Sequence, residues 1–207
     1  VKMRSAKKLN FRIALIFFLG LFPIFSLAEI KDSSQYQDMV KGNVDSAITI
    51  VEYASFTCPH CATFHKEVFP YLEKEYIETG LVKFIYREVY FDAPGLWAGL
   101  IARCLSKDKY FGIVDLLYKK QEKWASGDSE KEILRELLAI GRQVGMTEGK
   151  INSCLQNKEK SLHLIDAYLK NSKKDNITST PSLIVNGELI DYKSFDDLRI
   201  KLDAILN

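Results

Sequence analysis

The sequence has 207 residues, with 29 Lys and Arg against 27 Asp and Glu, for a formal net charge of +2. No concentrated basic patch accompanies this near-balance of charge, which argues against a nucleic-acid binder. Four cysteines are present. An even number of cysteines indicates disulfides if the chain is exported, so the amino-terminal segment decides the compartment.

The first 28 residues predict a secretory signal, cleaved near Ala28. A basic start without acidic residues precedes the run "IALIFFLGLFPIFSLA", which ends with the small residues Ser26 and Ala28. The alternative is an uncleaved membrane anchor. However, Gly20 and Pro23 interrupt the apolar run, which is shorter than the about 20 residues of a spanning helix. Export is therefore expected.

The exported segment, residues 29–207, has a different charge from the whole chain. Loss of the five basic residues of the signal leaves 24 Lys and Arg against 27 Asp and Glu, a net charge of −3. Its 179 residues suit one domain with an insertion better than two independent domains. All four cysteines lie in this segment, where disulfides can persist.

The first half of the exported segment predicts a strand–helix–strand unit. Residues 29–46 are polar and predict an exposed lead-in. Residues 47–56, "AITIVEYASF", are rich in β-branched and aromatic side chains and predict a buried strand. Residues 81–91, "LVKFIYREVYF", predict a second strand for the same reason.

Between these strands, the spacing of apolar residues predicts a helix that runs up to Gly80. Thr57 is the expected N-cap, with Pro59 in the first turn. Pro70 lies inside the pattern and predicts a kink, because proline removes a backbone donor. His65 falls on this helix, and no metal or catalytic role is expected for it.

The second half predicts a helical insertion followed by a return to the sheet. Apolar residues recur at three- and four-residue steps from about 94 to 176, and Ser129 and Thr147 are expected N-caps. Asn186–Gly187 between apolar residues predicts a hairpin. An amphipathic helix over 194–206 closes the chain. The predicted fold is α/β, with a sheet core over 47–92 and 176–207 and an insertion over 93–175.

The motif "CPHC", residues 58–61, has four possible uses. Haem attachment requires a histidine after the second cysteine, where Ala62 stands. Zinc requires four ligands from paired positions, and Cys104 and Cys154 have no CxxC partners of their own, so no metal is expected. A static bridge within one helical turn closes almost no loop and stabilises little. Redox function remains.

A CxxC at a helix start gives its two cysteines different roles. Backbone N–H groups and the helix dipole favour the thiolate of Cys58, which forms the mixed disulfide with a substrate. Cys61, one turn on, resolves that mixed disulfide. His60 adds a donor near the Cys58 sulfur. A stabilised thiolate stabilises the reduced form, so this disulfide is readily donated.

The exported segment resembles the DsbA family of periplasmic thiol:disulfide oxidoreductases over essentially its whole length. The resemblance rests on "CPHC", including Pro59, on the strand "VEYASFTC" before it, and on Thr180–Pro181 in "TSTPSLIVNG". Because 123 positions separate Cys58 from Pro181, a helical insert fits between them. The family has a thioredoxin fold with a helical insertion.

The resemblance also implies roles for residues away from the CxxC. Thr180–Pro181 is expected to be a cis peptide bond facing the CxxC, where the Thr180 backbone pairs with an extended substrate segment. Glu52 matches a buried acid that exchanges a proton with Cys61; the alternative is a solvent-facing strand residue. The family's basic partner for this acid is not evident. Tyr86 stands at its position, with Arg87 adjacent.

Cys104 and Cys154 resemble a second disulfide found in some family members, and a structural role is expected for it. Such a bond closes a loop between cysteines 50 residues apart. Chain-entropy arguments assign a loop of that size about 4 kcal/mol of stabilisation. Two alternatives remain open: both cysteines are free and buried, or the pair modulates the active site.

The sequence therefore predicts a monomeric disulfide oxidase acting on unfolded exported proteins. Its redox group is the Cys58–Cys61 disulfide, with no separate cofactor, and a membrane partner of the DsbB kind would reoxidise it. One alternative is a disulfide reductase or isomerase. Another is a chaperone-like binder of exported proteins, which would not require Cys58.

Overall fold

The structure of this chain is a computed structural model that describes residues 36–207. The predicted signal and the beginning of the lead-in lie outside the described residues. Within residues 36–207, no helix combines the length and the apolar character needed to cross a membrane.

In the described part of the chain, five strands form one mixed sheet in the order β1-β3-β2-β4-β5. They are β1 Met39–Lys41, β2 Ile48–Ala54, β3 Val82–Glu88, β4 Ser182–Val185 and β5 Glu188–Ile190. The central pair, β2 and β3, is parallel, and every other neighbouring pair is antiparallel. The two predicted strands are present and shorter than expected.

The prediction of an irregular lead-in is wrong at Met39–Lys41. These residues form the edge strand β1, in which Met39 pairs with Tyr86 and Lys41 with Phe84. Met39 is buried in the core. Three residues are too few to show an alternating pattern, and their partner strand lies more than 40 positions further on. The pairing is therefore a tertiary effect that local sequence does not report.

The helix after β2 is broken rather than kinked. Helix α1, Pro59–Glu67, ends before Val68, and a short helix α2, Phe69–Leu72, continues into a π-helical turn, Glu73–Ile77. Pro70 lies in the first turn of α2. A proline is tolerated there because the first backbone N–H groups of a helix have no intrahelical partner.

Six helices lie between β3 and β4. They are α3 Ala93–Ala102, α4 Lys107–Lys119, α5 Gln121–Ala125, α6 Glu130–Gln143, α7 Glu148–Leu155 and α8 Lys158–Lys174. The two predicted N-caps are confirmed, because the Ser129 and Thr147 hydroxyls accept hydrogen bonds from backbone N–H groups three residues on. A disulfide joins Cys104, just after α3, to Cys154 of α7, with a Cα–Cα distance of 5.9 Å.

The chain returns through the predicted hairpin and helix. Asn186 and Gly187 both have positive φ, 47° and 92°, as a two-residue turn between β4 and β5 requires. Helix α9, Phe195–Leu206, follows the N-cap Ser194. The antiparallel pairing of β4 with β2 brings Thr180 and Pro181, just before β4, to the end of the sheet where β2 leads into α1.

Both faces of the sheet are covered. Side chains of β2 alternate between them: Ile48 and Ile50 enter the main core, while Val51 and Tyr53 belong to a smaller cluster packed against Tyr168 of α8. The main core also contains Cys61. The second cysteine of the CxxC is therefore part of the hydrophobic interior, whereas the first lies at its margin.

Candidate active site

The CxxC begins α1 in a way that differs from the prediction. Cys58, not Thr57, is the N-cap residue, with extended backbone angles and no side-chain cap bond. The Thr57 hydroxyl instead donates to Asp92, at a distance of 2.8 Å. Asp92 is itself the N-cap of α3. This hydrogen bond connects the residue before the CxxC to the first helix of the insertion. The Cys58 thiol is left at the N-terminal end of α1.

A residue that sequence reasoning missed supports the same loop. The Gln121 side chain of α5 is buried and donates to the Phe56 carbonyl at 2.8 Å and to the Cys58 carbonyl at 2.9 Å. More than 60 positions separate Gln121 from these carbonyls, so no local signal announces the contact. The insertion therefore holds the backbone of the CxxC from both α3 and α5.

The two thiols are free and differ in exposure and acidity. Cys58 is half-buried, and Cys61 is fully buried. A hydrogen bond from the Cys61 thiol, helped by the backbone N–H groups of Cys61 and His60 and opposed by partial burial, lowers the pKa of Cys58 to about 5. At neutral pH, Cys58 is therefore a thiolate.

The pKa of Cys61 moves in the opposite direction. Burial, the hydrogen bond to Cys58 and the nearby negative charge of Glu52 all raise the pKa of Cys61 well above the ordinary thiol range. Burial excludes water, and the negative charge of Glu52 or of the Cys58 thiolate repels a second anion. Cys61 therefore holds its proton whenever the pair is reduced.

The exposed rim of the site contains the predicted substrate-contacting residues. The Thr180–Pro181 peptide bond is cis, and the Cys58 sulfur lies 3.5 Å from the Thr180 carbonyl oxygen. Pro59 and His60 are exposed beside it. The contribution of His60 to the acidity of Cys58 comes through its backbone N–H. The predicted role of its imidazole stays a prediction.

Glu52 lies beneath this rim and is fully buried, which excludes the solvent-facing alternative. Its neighbour on the adjacent strand β3 is Tyr86, as the resemblance implied. The Tyr86 hydroxyl, however, is hydrogen bonded to the Tyr118 hydroxyl at 2.6 Å. Arg87 is not the missing basic partner. Its guanidinium pairs with Asp38 and Asp175 at 2.9 and 3.0 Å.

The partner of Glu52 is His65, for which no role was predicted. Its Nε2 lies 3.1 and 3.0 Å from the two carboxylate oxygens of Glu52, and both side chains are buried. The His65 ring stacks on the Tyr118 ring, with centroids 4.2 Å apart. One signal was available: His65 follows Cys61 by four positions, so both side chains share the inner face of α1.

A groove of about 880 Å³ adjoins the site. Helix α1 forms one wall, and the segment of α4 and α5 between Asp115 and Ser126 forms the other. His65 and Tyr118 both line the groove, so the buried pair of Glu52 and His65 adjoins it. In the part of the chain that the structure describes, no group of three or more His, Cys, Asp or Glu side chains is placed to hold a metal ion.

Fold and site together define a thioredoxin-fold protein with a CxxC dithiol at a helix start and a cis-proline opposite. A family model described as Thioredoxin matches residues 34–204. The chain belongs to this thioredoxin family.

Known relatives carry names that refer to disulfide chemistry. A putative protein-disulfide oxidoreductase of Rickettsia bellii is 34% identical over 170 residues, which cover 82% of this chain and 64% of the relative. The disulfide bond formation protein D of Bacillus subtilis is 28% identical, with coverage of 81% and 76%. The chain thus spans less than two thirds of the Rickettsia protein.

Solved structures confirm the resemblance to the DsbA family and the predicted fold class. The alpha-DsbA1 of Wolbachia pipientis superimposes with a TM-score of 0.76 at 25% identity, covering 82% of this chain and 90% of that one. Oxidised BdbD of Bacillus subtilis gives a TM-score of 0.66 at 25% identity, with coverage of 82% and 92%.

Proposed function

We propose that this protein is a thiol:disulfide oxidase that donates a Cys58–Cys61 disulfide to unfolded exported proteins. The observation that carries the proposal is the unequal placement of the two cysteines: Cys58 is half-buried at the start of α1, where its pKa is lowered to about 5, whereas Cys61 is buried and its pKa is raised well above the thiol range. This asymmetry assigns the Cys58 sulfur to exchange with substrates and makes Cys61 the buried leaving group when the disulfide opens.

In the first step, a substrate thiolate attacks the Cys58 sulfur of the oxidised pair. The Cys58–Cys61 bond breaks, a bond between Cys58 and the substrate forms, and the electron pair passes to Cys61. Because Cys61 is buried next to Glu52, its sulfur cannot remain an anion and takes up a proton. Glu52, the buried acid beside Cys61, is the group that supplies it.

In the second step, another thiolate of the same substrate attacks the substrate sulfur of the mixed disulfide. A disulfide forms within the substrate, and Cys58 leaves as a thiolate. The low pKa of Cys58 makes it a good leaving group and stabilises the reduced protein. Both effects favour donation of the disulfide. The cysteine pair is the redox group, so these steps use no separate cofactor.

The rim of the site supports the binding of an extended substrate segment. Proline has no N–H, so Thr180 is the residue at the rim whose backbone can pair with a strand from the substrate. Its carbonyl already lies within reach of the Cys58 sulfur. The names of the relatives, which refer to disulfide oxidoreductases and disulfide bond formation, agree with this use.

The remaining parts of the proposal follow from the family resemblance. The protein acts as a monomer in the periplasm, and its reduced form is reoxidised by a membrane partner of the DsbB kind. The alternative is a reductase or isomerase with the same fold. The two functions require opposite redox poise of the same cysteine pair, so one equilibrium measurement separates them.

The deciding experiment equilibrates residues 29–207 with glutathione buffers and quantifies the reduced fraction, with Cys104 and Cys154 intact. A potential above the glutathione couple, which lies at roughly −220 to −260 mV, is expected for the oxidase. A value near that of thioredoxin, about −270 mV, would contradict the oxidase and favour the reductase. The Cys58→Ser variant is the control, because it abolishes the titrating disulfide.

A further inference from the structure

His65 lies between the buried acid and the groove, and the steps proposed above do not use it. Its Nε2 is within hydrogen-bond distance of both Glu52 oxygens, and the residue also lines the groove. Only 6% of the residue is exposed. An imidazole in this position lies between the Glu52 carboxyl group and the solvent in the groove.

Glu52 needs such a neighbour because it has no direct contact with water. It is 0% exposed, yet it must regain a proton after each transfer to Cys61. The hydroxyls of Tyr86 and Tyr118 do not exchange protons readily, because burial raises the pKa of both far above the ordinary tyrosine range. Histidine is the side chain that gains and loses a proton most readily near neutral pH.

Few other titratable groups surround His65. Three titratable side chains face it from neighbouring elements: Glu52 of β2, Tyr86 of β3 and Tyr118 of α4. α2 contributes the apolar ring of Phe69. The charged residues at the rim of the groove are all exposed: Lys66, Glu67, Asp115, Lys119 and Glu122. Two cations stand against three anions, which water screens.

We propose that His65 is the proton relay of this site and carries the proton between Glu52 and solvent in the groove. When Cys61 leaves the disulfide, Glu52 protonates its sulfur, the imidazolium of His65 reprotonates Glu52, and the imidazole takes a proton from water. Reoxidation runs the same transfers in reverse. The relay rests on the proposed thiol–disulfide exchange and adds no oxidant or reductant to it.

The first test follows the reaction of the oxidised protein with reduced glutathione from about pH 5 to 8. Rates are divided by the concentration of glutathione thiolate, so that only the departure of Cys61 contributes to the pH profile. In the wild type, this rate constant should fall as the pH rises, because the relay delivers a proton to Cys61. In His65→Gln, which keeps an amide donor for Glu52, it should be about 100-fold lower and independent of pH.

The second test uses chemical rescue of His65→Ala. This truncation opens space beside the groove, and added imidazole should restore the rate in a saturable manner, more strongly at lower pH. Pyrazole has nearly the same shape but is too weak a base to form a cation near neutral pH, so it should fill the space without restoring the rate. Phe69→Leu is the packing control, because it removes a ring that lies 4.9 Å from His65 without removing a titratable group.

The outcomes separate the relay from the function on which it rests. Equal rescue by imidazole and pyrazole, or a wild-type pH profile in His65→Gln, would overturn the relay and leave a structural role. A Phe69→Leu rate as low as that of His65→Gln would do the same. If the wild-type disulfide itself does not exchange with glutathione, the proposed function fails before the relay is tested.

Discussion

The acidity of Cys58 should depend measurably on its partner in the CxxC. The hydrogen bond from the Cys61 thiol is the largest influence that lowers the pKa of Cys58 to about 5. Hydrogen bonds to charged groups contribute about 1.5–3 kcal/mol, and about 1.36 kcal/mol corresponds to one pKa unit. A thiol is a weak donor, so Cys61→Ala should raise the pKa of Cys58 by about one unit.

The assay follows the ultraviolet absorbance of the thiolate, or the rate of alkylation by iodoacetamide, in the reduced protein as a function of pH. Only Cys58 titrates in the accessible range, because burial keeps Cys61 protonated. Cys61→Ser is the matched control, since its hydroxyl can donate from the same position and should hold the pKa closer to that of the wild type.

The backbone N–H groups of Cys61 and His60 remain in both variants, so neither should return Cys58 to the ordinary thiol range. An unchanged pKa in Cys61→Ala would refute the assignment of this hydrogen bond. So would an equal rise in Ala and Ser, because loss of the donor would then not be the cause.

Three further outcomes follow from buried or perturbed groups. Because the pKa of Cys58 in the folded protein lies below its unfolded value, the reduced protein should gain stability over the oxidised one as the pH rises. Urea unfolding should show a gain of about 1–2 kcal/mol between about pH 5 and 7, after allowance for solvent screening. Gln121→Leu should cost about 1–3 kcal/mol in the same assay, because the buried Phe56 carbonyl loses its donor, whereas the Cys58 carbonyl keeps the Ala62 N–H; Gln121→Glu, which lacks the amide donor, should not be milder. Arg103→Met should cost about 3–5 kcal/mol, because it leaves Glu88 buried without its guanidinium partner; if adding Glu88→Gln recovers none of this loss, the ion pair is not its source.

Structural features that depend on a few adjacent residues could be predicted from the sequence. The β-branched run before Cys58, the Ser129 and Thr147 caps and the Asn186–Gly187 turn each depend on a few adjacent residues, and all are present in the structure. The family resemblance added what local chemistry alone leaves open, above all the cis bond before Pro181.

Contacts between distant segments were not predictable in the same way. Edge strand β1 exists because β3 offers it backbone partners, and Gln121 contributes to the CxxC because α5 packs against that loop. Neither the sequence of β1 nor the sequence around Gln121 indicates which distant residues it contacts. Thr57 shows the limit of a local rule, since it suits an N-cap by residue type, yet its hydroxyl bonds to Asp92, and the cap position passes to Cys58.

The position of the partner of Glu52 has a consequence for the chemistry. A basic residue on the neighbouring strand would be held by the sheet, independently of the helix that carries the cysteines. His65 instead lies on α1 itself, one turn after Cys61. Any shift of α1 that moves the Cys61 sulfur therefore also moves the group that pairs with the buried carboxylate. The Cys61 thiol and the His65 partner of Glu52 therefore move together, whereas a partner on a strand would not move with Cys61.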